Sequence, residues 1–306
     1  FVYGDTPEFA SIDFVIQSIP ADTDTWEIEP YQLSALADIR LLPLRTLLVY
    51  LEMEGIIQSK YAYFKSYRFK NSVDNATIIS QFKGERQEFV KNLLSQAQKA
   101  KTWSTVDIDA CQTQFGYERK RIIAALEYFH QQHYITLDAK GITETYAVIS
   151  RSYNPTELAR KMHNLFRSKE TSELKRIDQM VELFESHRCL NYQLASYFGQ
   201  HLEQEKCGHC SVCMDGPKTL VGGIPYGDLD ALLLQTVQDN LERYMEDQPS
   251  NDLITRYLCG IKTPKISKLK RDQLDGFATY EHVPYNGVKS WVVRRRVLSK
   301  SSEQEP

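Results

Sequence analysis

Four of the six cysteines in this 306-residue chain stand at Cys189, Cys207, Cys210 and Cys213. This C-x17-C-x2-C-x2-C pattern limits the fold more than any other feature of the sequence. A two-residue spacer lets successive thiolates turn back on one ion at about 2.3 Å, and a remote fourth ligand closes the tetrahedron. Four thiolates saturate zinc, so the expected ion is a structural Zn2+ with no open position for chemistry. The C-x2-C-x2-C run also opens iron–sulfur motifs, although no Cys-Pro ending follows Cys213. Disulfide bridging is the rival arrangement, and the lack of a secretory leader in the sequence argues against it. His187, His201 and His209 lie near enough to replace one thiolate, and each is also an ordinary surface histidine. Cys111 and Cys259 fall inside apolar patterns and suit the core.

Apolar residues around the cluster recur with helical spacing. Leu190, Leu194, Tyr197 and Phe198 share one face of a short helix beginning at Cys189, and Gly199 suits the position that ends it. Upstream, Leu158, Met162, Leu165 and Phe166, then Leu174, Ile177, Met180, Val181 and Phe184, predict two longer helices joined near 168–172. A metal loop would staple these helices into a platform. With 42% hydrophobic and 25% charged residues the chain is globular in class, of two or three domains, which excludes collagen, wholesale disorder and disulfide miniproteins. No apolar run approaches the roughly 18 residues of a bilayer span, so no membrane is expected as a partner. The expected location is the cytoplasm, including a bacterial nucleoid, or the nucleus, not the secretory route. The chain opens on Phe1 rather than Met, so it is expected to be a segment of something longer.

The helical pair, Cys189, Tyr197-Phe198-Gly199 and the run Cys207-Gly208-His209-Cys210-Ser211-Val212-Cys213 together resemble the zinc-binding platform of the RecQ family of ATP-dependent DNA helicases, over Pro155 to Pro217. The sequence departs from that family at Leu190 and Ser211, where the family commonly has Arg and Asp; the metal site is untouched, and a platform salt bridge is put in doubt. The resemblance implies a parent that unwinds DNA 3′ to 5′ in repair and recombination. It implies ATP and Mg2+ acting only through motor lobes outside this segment, and DNA, repair proteins or single-strand-binding proteins as partners. The sequence itself contains no G-x-x-x-x-G-K-[ST] loop, no H-E-x-x-H and no G-x-S-x-G, so no ATPase site and no catalytic residue is expected in it. RecQ chains pass directly from motor to platform, whereas here about 150 residues intervene.

Those intervening residues read as a repeat. Tyr31, Leu33, Leu36 and Ala37 suit one helix, Leu41-Leu42-Pro43 a turn, and Leu44, Leu47, Leu48 and Leu51 the face of a second helix, before a strand at Ile56-Ile57 and a β-prone ribbon at 61–70. The order recurs 78 residues later, with Ile122, Ala125, Leu126 and Phe129 in the helix, Tyr134-Ile135 in the strand and a turn at Asp138-Ala139-Lys140-Gly141 before a strand at Ile142 to Val148. Helix, turn, helix, hairpin is the order of a winged helix, so tandem winged helices are expected, joined by one amphipathic helix bearing Ile78, Ile79, Phe82, Phe89, Val90 and Leu93. In the first ribbon, Tyr61, Tyr63, Lys65, Tyr67, Arg68 and Lys70 interleave bases with rings, which suits phosphate binding and base stacking; the same residues also suit a strand with its aromatics in the core. Arg119, Lys120 and Arg121 open the second helix of the later repeat, where side chains meet DNA or merely face water. Many winged helices bind proteins instead.

Charge is segregated. Phe1 to Asp38 holds eight acids and no Lys or Arg, whereas Ile261 to Lys300 holds ten bases against three acids. After a Gly/Pro linker at Val221 to Gly227, a helix through Leu229, Leu232, Leu233, Val237 and Leu241 opens a last domain. The segment from Leu253 to Ile266, with Gly276-Phe277 and Trp291-Val292-Val293, is loosely similar to the winged helix that follows the platform in RecQ proteins. Lys262, Lys265, Lys268, Lys270 and Arg271, with Arg294, Arg295 and Arg296 after an expected strand, are its candidate phosphate contacts.

The expected fold is α+β, mainly α with small β, in several domains. These are an acidic entry segment (1–28), winged helix 1 (29–76), a connecting helix (77–102), winged helix 2 (103–150), the helical zinc platform (151–217) and a basic, winged-helix-like domain (218–306). The expected function is the DNA-binding accessory region of a RecQ-type helicase, gripping duplex, forked or junction DNA. The alternatives are a freestanding winged-helix regulator with a zinc module and a protein scaffold without nucleic acid.

Overall fold

The 78-residue repeat is visible in the backbone of the computed structural model, which describes residues 1–220, 229–245, 248–269 and 275–302. After a 3-10 turn at Val2–Asp5 the first copy runs α1 (Phe9–Gln17), β1 (Thr25–Ile28), α2 (Pro30–Ala37), α3 (Leu41–Met53) and β2 (Ile57–Asn71). A short helix α4 (Asn75–Ser80), capped by Asp74 on the Thr77 N–H, leads to α5 (Glu85–Ser95), β3 (Ala97–Lys99), β4 (Ser104–Val106), α6 (Ile108–Phe115), α7 (Arg119–Gln131) and β5 (Ile135–Val148). At that spacing α2 and α3 coincide with α6 and α7 residue for residue. The left-handed residues coincide too: Asp38 (φ 53) and Gly55 (φ 69) answer Gly116 (φ 69) and His133 (φ 59). A left-handed residue is what turns the chain between the two helices, and it costs least at Gly116, which lacks a Cβ.

The strands form one antiparallel sheet of order β1-β5-β2-β4-β3. Here the structure corrects the expected hairpins. Residues 57–71 are a single strand, 135–148 are another, and the two pair along their length, from Ile57 opposite Val148 to Asn71 opposite Ile135, with a shift between Ser59 and Tyr61. The short strand of each copy pairs with the long strand of the other, β1 with β5 and β4 with β2. Residues 60–70 contain no Gly, Pro, Asn or Asp, so nothing in them turns the chain back. The Asp138–Gly141 turn signature is overridden by the ladder. As a result Tyr67 and Phe69 of the first copy lie in the core of the second, beside Val106, Ile108, Cys111, Ile122, Leu126, Phe129 and Ile135. The expected single connecting helix is α4, α5 and β3; the chain breaks before α5 at Gly84 (φ 59), which stands at its N-cap.

Two compact units interleave along the sequence: Ile19–Leu33 with Leu48–Ser152, which contains the whole sheet, and Phe1–Ser18 with Ser34–Leu47 and Tyr153–Pro306. In the second of these, α8 (Pro155–Phe184) is one helix of 30 residues, not two. Asn154 caps it on the Glu157 N–H. No Gly or Pro interrupts 168–172, where the Thr171 hydroxyl bonds back to the Arg167 carbonyl and Arg167 pairs with the buried Glu170. Then come α9 (Leu190–Tyr197) and α10 (Ser211–Asp215), followed by α11 (Ala231–Tyr244), α12 (Asn251–Leu258), α13 (Pro264–Ser267) and α14 (Tyr285–Ser302). The strand expected at Trp291 to Val293 lies inside α14. Val288, Trp291 and Val292 are buried at helical spacing, which overrides the β-propensity of Trp-Val-Val. The last module therefore has helices and turns but no strand among its described residues. Its core joins Leu234, Val237 and Leu241 to Ile254, Tyr257, Leu258, Val288 and Val292. The expected linker, Val221 to Gly227, lies outside the described residues.

Three acids of the opening segment, Asp5, Glu8 and Asp38, are engaged inside this unit. Arg256, 6% exposed, donates to the Thr6 carbonyl at 2.6 Å and pairs with Glu8 at 3.3 Å. Asp38 accepts from the Lys265 N–H at 2.7 Å, and Arg40 donates to the Lys262 carbonyl at 2.9 Å and pairs with Asp5. Tyr3 stacks on Tyr285 with ring centroids 4.1 Å apart. Gly4 admits the Arg40 guanidinium, since a Cβ there would come within 2.5 Å of it. Burial raises the pKa values of Glu8 and Asp38, against hydrogen bonds from Ser250 to Glu8 and from the Lys265 N–H to Asp38, and against the Arg256 charge.

His163 of α8 meets the Phe9 ring edge-on at 6.2 Å. Desolvation lowers its pKa; Arg167 and Lys289 lower it further, against Asp252 and Glu170. The folded value lies below the ordinary value of about 6.5, so the folded state binds fewer protons between the two. The stability this residue confers is complete above that window and is lost as pH falls through it. His163→Gln is expected to flatten the decline of the thermal midpoint from about pH 7 towards 5.5; an unaltered curve would remove His163 from the acid response.

Candidate metal centre

Neither α9 nor α10 buries a residue, so the order of this region rests on its cysteines. Cys189, 5% exposed, is the N-cap of α9. Cys210 is the N-cap of α10, and its Sγ accepts from the Cys213 N–H at 3.4 Å. Gly208 (φ 74) makes the turn between Cys207 and Cys210, whose N–H reaches the Cys207 Sγ at 3.2 Å. The Cys207 N–H points at the Cys189 Sγ at 3.4 Å, which ties the remote ligand to the run.

The four sulfurs lie within 4.8 Å of one another, and Cys210 Sγ is 3.9 Å from Cys189 Sγ. Four ligands at about 2.3 Å from a tetrahedral ion are separated by about 3.8 Å, so the cluster fits zinc with little movement. Its electrostatics fit as well. The Tyr192 N–H leads in drawing the Cys189 thiol below its ordinary pKa. Desolvation opposes ionisation of Cys210, yet the N–H groups of Cys213 and Leu190 and the neighbouring thiols bring it down to about 6. The Gly208 N–H lowers Cys213, but desolvation and hydrogen bonds to Cys210 and Cys189 push it up to about 11. A fourth thiolate there needs a cation beside it, which a divalent metal supplies.

The histidines are not ligands. His209 has Nδ1 2.8 Å from the Cys207 carbonyl and Nε2 2.8 Å from Asn191 Nδ2, which fits a ring that donates to the carbonyl and accepts from the amide. Among the described residues, the group with metal-holding geometry contains only the four cysteines. Asn191 and Gln193 are supports the sequence did not single out. Gln193 Nε2 reaches Ser186 Oγ at 2.6 Å and the Arg188 carbonyl at 3.1 Å, which fixes the loop before Cys189. Their signal was polar side chains on a short helix beside a ligand.

The candidate nucleic-acid contacts are scattered. Tyr61 is exposed, Tyr63 donates to Glu27 at 2.9 Å, and Tyr67 is buried. Arg68 bonds Asp138 at 2.6 Å and lies over the Trp103 ring, whereas Lys70 is exposed. Arg119 covers the Tyr63 ring and donates to the Phe64 carbonyl at 2.6 Å; Arg121 grips both Glu85 oxygens over the Phe89 ring; Lys120 faces solvent. Lys262 and Lys268 are exposed and Lys265 is half-buried. Arg294 bonds the Ser290 carbonyl, Arg296 bonds Pro249 and Asn251, and Arg295 is exposed. The Lys65 side chain, Lys270 and Arg271 lie outside the described residues.

Residues 156–214 match the protein-family model described as RecQ zinc-binding. That stretch holds the platform helix from its second residue onward and all four cysteines, so the domain and its structural Zn2+ are supported by sequence family and by geometry together. No curated protein matches the chain.

Proposed function

We propose that this chain is the nucleic-acid-binding accessory region of a RecQ-type DNA helicase, whose ATP-driven motor lies outside the segment. The observation that carries the reading is the family match over 156–214 together with a four-cysteine cluster of zinc dimensions. In this reading the zinc ion holds α9 and α10 against α8 and fixes the platform from which the last module projects its bases. The two copies of strand, helix, helix and long strand are winged helices that have exchanged their long strands, which joins them through a shared ribbon. Arg68, Arg119 and Arg121 are held by carboxylates, carbonyls and rings, so the exposed bases Lys262, Lys268 and Arg295, with half-buried Lys265, are the better phosphate contacts.

Fluorescence anisotropy with a forked duplex tests this reading. Binding is expected to weaken steeply with salt, and changing Lys262, Lys265 and Lys268 together to Ala is expected to lower affinity about tenfold and to flatten the log–log salt slope by about 2.7. Salt-insensitive binding, or none, would count against it.

A further inference from the structure

The β3–β4 hairpin lies wholly within the sheet unit. Its strands pair from Ala97 opposite Val106 to Lys99 opposite Ser104, and the Ala100 N–H closes the turn on the Trp103 carbonyl at 2.8 Å, so Lys101 and Thr102 form the tip. On its other side β4 pairs with β2, Arg68 opposite Thr105 and Phe69 opposite Ser104. Opposite residues of an antiparallel pair share a face. Tyr67 and Phe69 turn to the core, so Arg68, Lys70, Trp103 and Thr105 line the outer face of the sheet. The Arg68 guanidinium lies 4.6 Å from the centre of the Trp103 ring, and Asp138, opposite it on β5, holds it there. Lys70, Lys99 and Lys101 are exposed, and none of them forms an ion pair among the described residues. Past β4, Asp107 and Asp109 are taken by the Ala110 N–H and by Arg119. At the 78-residue offset the first copy has Ala21, Thr23 and Thr25 in place of Lys99, Lys101 and Trp103, with Asp22 and Asp24 between them. The repeat thus accepts an acidic segment at that place, and packing does not call for a basic one around an indole.

Three unpaired ammonium groups around a half-buried ring suit a polyanion that carries flat apolar groups. Ammonium groups neutralise phosphates, and an indole stacks on a base whatever its identity. We propose that the β3–β4 hairpin and the outer face of β2 beside it form a binding site for unpaired nucleic acid, in which Lys70, Lys99 and Lys101 take phosphates and Trp103 stacks on a base. Arg68 covers one face of the ring and positions it; the other face meets the ligand. The inference rests on the reading of this chain as a nucleic-acid-binding region. It adds a site in the sheet unit and names what that site takes, a single strand, because stacking on Trp103 needs a base free of its partner.

Intrinsic fluorescence reads this site directly, because the other two indoles, Trp26 and Trp291, are 5% and 9% exposed. Oligo-dT of about 15 nucleotides, titrated into the full chain, is expected to quench the Trp103 emission in step with binding followed by anisotropy of the labelled strand. Trp103→Phe is expected to lose the quenching and keep the affinity within about threefold, whereas Trp103→Ala loses about fivefold or more. Changing Lys70, Lys99 and Lys101 together to Ala alters only exposed positions, so the thermal midpoint is expected to hold. Affinity for oligo-dT should then fall about tenfold and the log–log salt slope flatten by about 2. The proposal is overturned if oligo-dT binds without quenching, or if the lysine variant binds it equally. It is also overturned if polyglutamate quenches Trp103 and competes equally, which would make the occupant an acidic protein, or if a blunt duplex binds as tightly and loses as much to the lysine variant. In each of these cases salt-sensitive binding of forked DNA through Lys262, Lys265 and Lys268 would leave the accessory-region reading standing. Failure of the unaltered chain to bind any DNA would overturn both.

Discussion

Removal of the metal is expected to unfold residues 186–217 and to leave the sheet unit intact. Structural zinc in small peptides contributes about 10–16 kcal/mol of apparent binding energy at neutral pH, and this region has little else, since neither α9 nor α10 buries a side chain. The purified chain should hold one zinc and no iron. Cys210→Ser, or a strong chelator, should abolish the protection of amides in 190–197 and 211–215 against hydrogen exchange, while amides of β2 and β5 keep theirs. Full protection of α9 without metal would mean that the helix is held by something other than the cysteines, and iron in the protein would replace the zinc assignment.

The second large effect is expected at Arg256. It is a buried cation whose partners lie about 250 positions away in sequence, at Thr6 and Glu8. Removing one member of a buried pair costs about 3–5 kcal/mol, because the other is left charged in a desolvated place. Glu8 already has its pKa raised by burial, against the Ser250 hydrogen bond and the Arg256 charge, so losing Arg256 should raise it further. Arg256→Met should therefore destabilise the unit by that amount and expose 1–8 to proteolysis. Adding Glu8→Gln should restore a good part of the loss, since the second change removes the stranded charge. A single variant within about 0.5 kcal/mol of the parent would place this pair among ordinary surface contacts.

How far these features were legible in the sequence depended on how local they are. The zinc centre was legible because its ligands sit in one short run plus one helix start, and thiolate spacing has few uses. The helix pairs 30–37 with 41–53 and 108–115 with 119–131 were legible because their apolar faces repeat every three to four residues. The break expected near 168–172 was not there, because Ser and Thr end a helix only when another conformation offers them better hydrogen bonds. Here the Thr171 hydroxyl bonds within the helix. Trp291-Val292-Val293 read as a strand for as long as propensity was weighed without Val288 four residues earlier.

By itself the sequence determined the metal, its four ligands, the repeat and the inward faces of its helices, since each is written in neighbouring residues. Only the tertiary structure decided that the two long strands pair with each other rather than fold back on themselves, that Glu8, Asp5 and Asp38 meet Arg256, Arg40 and the Lys265 N–H, and that Arg68, Arg119 and Arg121 are tied down. A strand's partner is chosen by which edge is open and which core it completes, and an ion pair by which charges lose water together. Neither leaves a period or a spacing in the chain.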